Sequence, residues 1–345
     1  MSAAPGALDL VTVAYARELP SLALQARSLA RFLDPAGIGR VFVVVNDVDE
    51  AAVAARAEAL RPAYGPFADR LEVVTAEDLF ARRPAGAGPR GLRGLRARAA
   101  LLTTRHRRLY PLGTKGGWRG NRGWSVQQAL KLAAARLGDG AFVLILDAKN
   151  HLVRPASRAD FVSPDGRPRT FLAGQNPRFF AWAANAFALL GAPPPPPGTP
   201  TPPSITPVVL RRDLLLGTLE AVESRVGPVE AFFARARSSN TSEFMLMHAF
   251  AALHGGWDAV YAPGLAEPAT ISRSADAAAV DTVLTRVERG DAGILAIHAT
   301  RLGTLDPAAR APARLRRSAR GPRGRGCRGG SRVWRGCRHR RVRRG

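Results

Sequence analysis

The chain has 345 residues, 46% of them apolar, and a formal net charge of +24. That length allows one large domain or two ordinary ones, and the apolar share is enough for a real core. No apolar run approaches a membrane-spanning length, and two cysteines, Cys327 and Cys337, cannot define a disulfide framework and, with only His339 nearby, make a poor zinc site.

The first residues, MSAAPGALDLVTVAYARELP, lack a basic n-region and reach Asp9, Arg17 and Glu18 too soon for a signal peptide, so the expected compartment is the cytoplasm. Leu8–Ala14 reads as a strand. Across Leu19 to Phe32 the residues Leu22, Gln25, Ala26, Leu29 and Phe32 fall close to helical spacing, a stripe read as packing surface. Arg40 to Val45 is a second buried strand ending at Asn46 and Asp47, followed by an alanine-rich helix from Glu50 to Leu60 and a weaker strand, Leu71 to Val74. A helix from Ser125 to Leu137 leads into the run Phe142-Val143-Leu144-Ile145-Leu146. Such alternation implies an α/β fold with a mostly parallel sheet flanked by helices. The second half is less regular: five prolines, 193–197, force an extended spacer, a strand resumes at 206–210, helices are expected at 212–224 and 242–253, and a last strand, 293–298, ends in His298.

The positive charge is local. Fifteen arginines and no acid lie between Arg310 and Gly345, and a second acid-free stretch, 79–138, holds 14 basic residues. The tail from 309 has almost no aliphatic periodicity and is expected to be disordered. It reads as a nucleic-acid or membrane-surface arm, as a neutral solvated tail, or as a frame-shifted translation of GC-rich DNA; the abrupt change of composition after Leu305-Asp306-Pro307 favours the last. Within the second stretch, Gly113 to Gly120 carries neither a Walker A nor a dinucleotide fingerprint, and its glycines beside Lys115 and Arg119 suit either a loop over an anion or a solvated basic loop.

The polar chemistry gathers at one strand end. In AFVLILDAKNHLVRP the apolar run stops at Asp147, with Lys149, Asn150 and His151 directly after it. Ligands of open α/β sheets collect at the carboxyl ends of such strands, although Asp147 would equally serve as a turn cap.

The series VTVAYARELPSLALQARSLARFLDP, VFVVVND, GWSVQQALKLAAARL, FVLILDAKNHLVRP, PSITPVVLRRD, TSEFMLMHAF and GILAIH resembles an uncharacterised bacterial family of glycosyltransferase-like proteins with a GT-A, Rossmann-type fold. The match runs in order from about Asp9 to Leu305, and DAKNH preceded by QQALKL is its most specific part. The resemblance implies a single domain over 1–308, with a nucleotide-binding half of about 1–155 and an acceptor half of about 156–308. It implies a nucleotide-sugar donor, and a glycan or lipid-linked acceptor reached at the inner face of a membrane.

Enzymes of that fold usually hold a manganese or magnesium ion with an Asp-x-Asp motif, to neutralise the departing diphosphate. Here the pattern is Asp147-Ala148-Lys149-Asn150 and the second Asp is missing. Either Asn150 supplies an oxygen suited to a hard cation, or Lys149 replaces part of the cation's charge. His298 stands where a third metal ligand is implied, or is a satisfied core histidine. By the same analogy Thr12, Ala14, Tyr15, Asn46 and Asp47 face the nucleoside. Gln127, Gln128 and Lys131 share one helix and suit donor hydroxyls or phosphate, the alternative for Lys131 being a solvated helix face. Glu243 is the implied catalytic base, or a residue that only favours its helix N-terminus.

Two further classes compete. A basic binding protein would grip nucleic acid or anionic lipid through 79–138 and the tail, but aromatic interleaving there is sparse, so no specific nucleic-acid partner is expected. A dinucleotide oxidoreductase would need glycines where Ala14-Tyr15-Ala16-Arg17 stands.

Overall fold

The computed structural model describes residues 6–83, 123–174, 179–196, 198–234 and 241–302. The glycine-rich segment 113–120, most of the acid-free stretch, residues 235–240 ahead of Glu243 and the arginine-rich tail lie outside the described residues.

Strand and helix alternate through the first part of the chain as β1 (Leu8–Ala14), α1 (Leu19–Phe32), β2 (Ile38–Val45), α2 (Glu50–Glu58), β3 (Leu71–Thr75), α3 (Ala76–Ala81), α4 (Gly123–Ala133) and β4 (Phe142–Asp147). The protein is α/β, with a mostly parallel central sheet flanked by helices. Its strand order is β3-β2-β1-β4-β7, where β7 (Val208–Arg211) runs antiparallel to β4 and every other pair is parallel. Chain order reverses at β1, which has β2 on one side and β4 on the other. That reversal opens a crevice outside the carboxyl ends of β1 and β4, bounded here by Tyr15 and Asp147.

Side-chain alternation decides what each strand end can meet. Leu8, Leu10 and Ala14 of β1 and Phe142, Leu144 and Leu146 of β4 enter the core cluster shared with Leu22, Ala26 and Leu29 of α1. Val11, Val13, Val143 and Ile145 enter the opposite cluster with Val126, Ala129 and Leu130 of α4. Thr12 therefore falls on the α1 face and Asp147 on the α4 face.

The α4 face is completed by α5 (Phe180–Leu190), α6 (Arg212–Val226), α7 (Val229–Ala234) and α8 (Glu243–Leu253), all of which contribute to that cluster. The sequence does not announce α5. It is apolar nearly all round, has no side-chain cap at Phe179, and is marked only by Gly191 in the left-handed conformation at its end. Beyond α8 come a short turn of helix, α9 (Trp257–Val260), and the two-stranded pair β6 (Arg169–Thr170) and β8 (Ala262–Pro263). The last strand, β10 (Ile294–Ile297), is not part of the central sheet. It pairs with β5 (Asn150–Leu152) and β9 (Ala269–Ile271) in a separate three-stranded sheet, after α10 (Ala277–Arg289) and before α11 (Ala299–Leu302). No helix among the described residues is long and apolar enough to cross a membrane.

Candidate active site

Lys131 of α4 is the centre of the site. It is buried, and its Nζ lies 2.8 Å from Asp147 Oδ1, 3.3 Å from Glu243 Oε1 and 4.9 Å from the centre of the Phe244 ring. The second Asp147 oxygen faces Lys149 Nζ at 3.0 Å. Thus Asp147 carries one ammonium on each oxygen, and Lys131 is shared between two carboxylates. Burial opposes the Lys131 charge, yet Asp147 and Glu243 hold its proton affinity above the ordinary range. Burial alone would raise Asp147; Lys131 and Lys149 outweigh it and hold the carboxyl well below the usual range. Glu243 goes the other way, raised by burial against the pull of Lys131, with Asp147 adding to the rise.

The remaining candidates divide sharply. Asn150 is buried, and its side-chain oxygen accepts the Asp147 backbone N–H at 2.7 Å while its amide reaches the Thr206 carbonyl. It closes the turn after β4. Thr12 does not face the crevice: it donates to Gln25 Oε1 at 3.0 Å, and Gln25 in turn donates to the carbonyls of Asp147 and Asn150 at 2.8 and 3.2 Å. Ala14 is buried, and its carbonyl accepts the N–H of buried Asn46. The Asp47 carboxylate accepts the N–H groups of Ala16 at 2.9 Å and Val48 at 2.6 Å, lashing together the loops after β1 and β2. Of that group Tyr15 and Asp47 are half-open, and Asp47 is the one bound to backbone N–H groups. Gln127 is half-buried on α4; Gln128 is buried, with no hydrogen-bond partner for its amide among the described residues.

His298 stands directly after the end of β10. It is half-exposed rather than a core residue, and its Nδ1 is 2.8 Å from Thr300 Oγ1 in the first turn of α11. Burial, together with the charges of Lys149 and Arg273, lowers its proton affinity.

These donors do not fit the divalent cation that the resemblance implies. Both Asp147 oxygens face ammonium groups, the Asn150 oxygen is committed to a backbone N–H, and the accessible neighbourhood of His298 is cationic. Among the described residues no three His, Cys, Asp or Glu side chains are grouped to hold a metal.

Two residues that the sequence reading passed over belong here. Glu18, in the turn between β1 and α1, is half-buried and feels the charges of Asp147, Lys149 and Lys131; burial first, then Asp147, raises its carboxyl to about 7. Gln25 sits within the apolar stripe of α1 and holds the carbonyls of the turn after β4. The signal that singles it out is a long polar side chain in an otherwise apolar row, which needs buried partners.

A family model described as a family of unknown function (DUF6492) matches residues 7–278. The chain belongs to this family. That span contains β1 to β4, α4 and α8, and so every ion-paired residue of the site. No curated protein matches the sequence. Among solved structures, mouse xyloside xylosyltransferase 1 in its apo form is similar at 11% identity and a TM-score of 0.41, over 78% of this chain and 89% of that one. A likeness at that level identifies no activity for this family member.

Proposed function

We propose that this protein is a glycosyltransferase that moves a sugar from a nucleoside diphosphate to a hydroxyl of a glycan or lipid-linked acceptor. The observation that carries the reading is the convergence of Lys131, Lys149, Asp147 and Glu243 at the carboxyl ends of β1 and β4, where an α/β sheet of this order binds its ligand. In the transfer, the acceptor oxygen bonds to the anomeric carbon as the bond from that carbon to the diphosphate oxygen breaks. The diphosphate leaves with the electron pair, and the acceptor proton goes to Glu243. A buried carboxylate with raised proton affinity suits that role. Positive charge fixed beside the leaving group stabilises it as charge develops.

In this reading Tyr15, half-open after β1, stacks on the nucleobase and Gln127, half-buried on α4, meets donor hydroxyls, with buried Gln128 behind it. On the acceptor side, Phe179, Trp182 and Trp124 form a row with ring centres 5.0 and 5.6 Å apart, and Trp124 is 55% exposed. Trp124 lies seven residues before Lys131 on α4, about 10 Å along the helix, and Thr241 Oγ1, two residues before Glu243, donates to the Trp182 carbonyl. An aromatic face at that distance suits the apolar face of a sugar ring.

The test is release of nucleoside diphosphate from UDP-, GDP-, ADP- and dTDP-linked sugars, followed by chromatography. One donor is turned over by the wild type, and Glu243→Gln lowers turnover by roughly two to four powers of ten while leaving the donor bound. Failure of every donor, with no nucleotide raising the melting temperature, overturns the reading.

A further inference from the structure

We infer that this site holds its diphosphate ligand without a metal, through an exchange in which Lys149 leaves Asp147 for the phosphate oxygens and Lys131 stays behind to neutralise Asp147. The inference rests on the nucleoside-diphosphate reading above and adds how the ligand's charge is met.

The two lysines are not equivalent. Lys131 has a side-chain exposure of 6% and is held by two carboxylates and the face of Phe244. Lys149 is 34% exposed, and its side chain has only Asp147 as an ion-pair partner among the described residues. Its backbone is fixed, because the Lys149 carbonyl accepts the Ile297 N–H at 3.1 Å and the Asn150 side chain closes the turn before it. What can move is therefore the Lys149 side chain alone.

One carboxylate with two ammoniums explains why such movement is tolerated. If Lys149 swings to an incoming anion, Asp147 keeps Lys131 at 2.8 Å and is not left buried and uncompensated, the condition that makes a broken buried pair costly. The swing also takes place beside cationic neighbours, since His298 follows the strand residue bonded to Lys149 and senses both Lys149 and Arg273. A lysine acts on phosphate as a mobile point charge, and charge-assisted hydrogen bonds to it are among the stronger polar contacts. A dication has no equivalent place: bound at Asp147 it would displace both ammoniums and leave Lys131, still paired with Glu243, facing its charge.

The metal-held and lysine-held sites predict opposite signs for the same variant. The experiment measures binding of UDP, GDP, ADP, CDP, dTDP and inorganic pyrophosphate to the full chain by calorimetry, in EDTA and in manganese chloride. The expected result is equal affinity in the two buffers, a roughly tenfold or greater loss in Lys149→Met, and unchanged or tighter binding in Asp147→Asn, which frees Lys149 from its competitor. Binding seen only with manganese overturns the inference while leaving the transferase reading intact. Pyrophosphate binding in EDTA without any nucleotide binding supports the inference and removes the nucleotide donor. No binding of any probe in either buffer overturns both. Should Asp147→Asn fail to fold, Lys149→Met decides, because its partly exposed side chain is not part of the core; undiminished affinity in that variant overturns the exchange.

Discussion

Glu18 is the residue whose charge is poised to change near neutral pH. Its carboxyl is raised to about 7, first by burial and then by Asp147, so it is neutral below that pH and adds a negative charge beside the site above it. An anion bound at Lys149 is disfavoured by that charge. Affinity for pyrophosphate is expected to fall by roughly three- to tenfold as pH rises through about 7, and Glu18→Gln is expected to flatten the profile. Calorimetry across that range checks it, with the probe's own ionisation common to both proteins; parallel profiles for wild type and variant would remove Glu18 from the site. The other site residues show how little residue type alone reveals. Asp147, Lys131, Lys149 and Glu243 were all nameable from the sequence, yet Lys131 was equally readable as solvated. Its burial follows from Glu243 reaching it across more than a hundred residues of chain.

At the scale of elements, α1 does two things. Its apolar row packs on the sheet, and Gln25 passes through that row to hold the carbonyls of Asp147 and Asn150 while taking the Thr12 hydroxyl. Gln25→Leu leaves those buried groups without their partner, and a stability loss of about 1–3 kcal/mol is expected in urea unfolding. Because the same bonds pin the turn that carries Lys149, the variant is also expected to weaken pyrophosphate binding. An equally stable, equally binding Gln25→Leu protein would show that the turn holds itself. The bounds of α1 were legible because an apolar period of helical spacing begins beside Pro20, which is tolerated in a first turn. The bounds of α5 were not, because a helix buried on most sides has no polar face to set a period and this one has no capping side chain.

Across the whole molecule, the two halves of the chain are tied by buried ion pairs away from the site. Asp9 at the start of β1 accepts the N–H groups of Arg40 at 2.8 Å and Gly140 at 3.0 Å, and pairs with Arg212 of α6 at 2.6 Å. The Asp9 side chain is fully buried, so Asp9→Ala removes the counter-ion of Arg212, which keeps its bonds to the Gly140 and Ala135 carbonyls, and leaves two backbone donors unpaired. A loss of about 3–5 kcal/mol is expected, with the spectrum of the folded state retained at low urea. A loss below about 1 kcal/mol, the range of exposed pairs, would mean that water reaches Arg212. At this scale the alternation of elements in the first part and the position of β4 were readable, whereas the assignment of β10 to a second sheet was not. An apolar strand reads the same whichever sheet it joins.

The sequence by itself determined the α/β class, the strand that ends at Asp147 and the residue types gathered there, because periodicity and strand-end polarity are local properties. Strand parity even determined that Asp147 shares a face with Val143 and Ile145. Only the tertiary structure decided which helix covers that face, and therefore that Asp147 meets Lys131, that Lys131 meets Glu243, and that Thr12 is taken by Gln25 and Asp47 by the Ala16 N–H. Those pairings depend on the order of strands in the sheet and on contacts between distant segments, which no local pattern encodes.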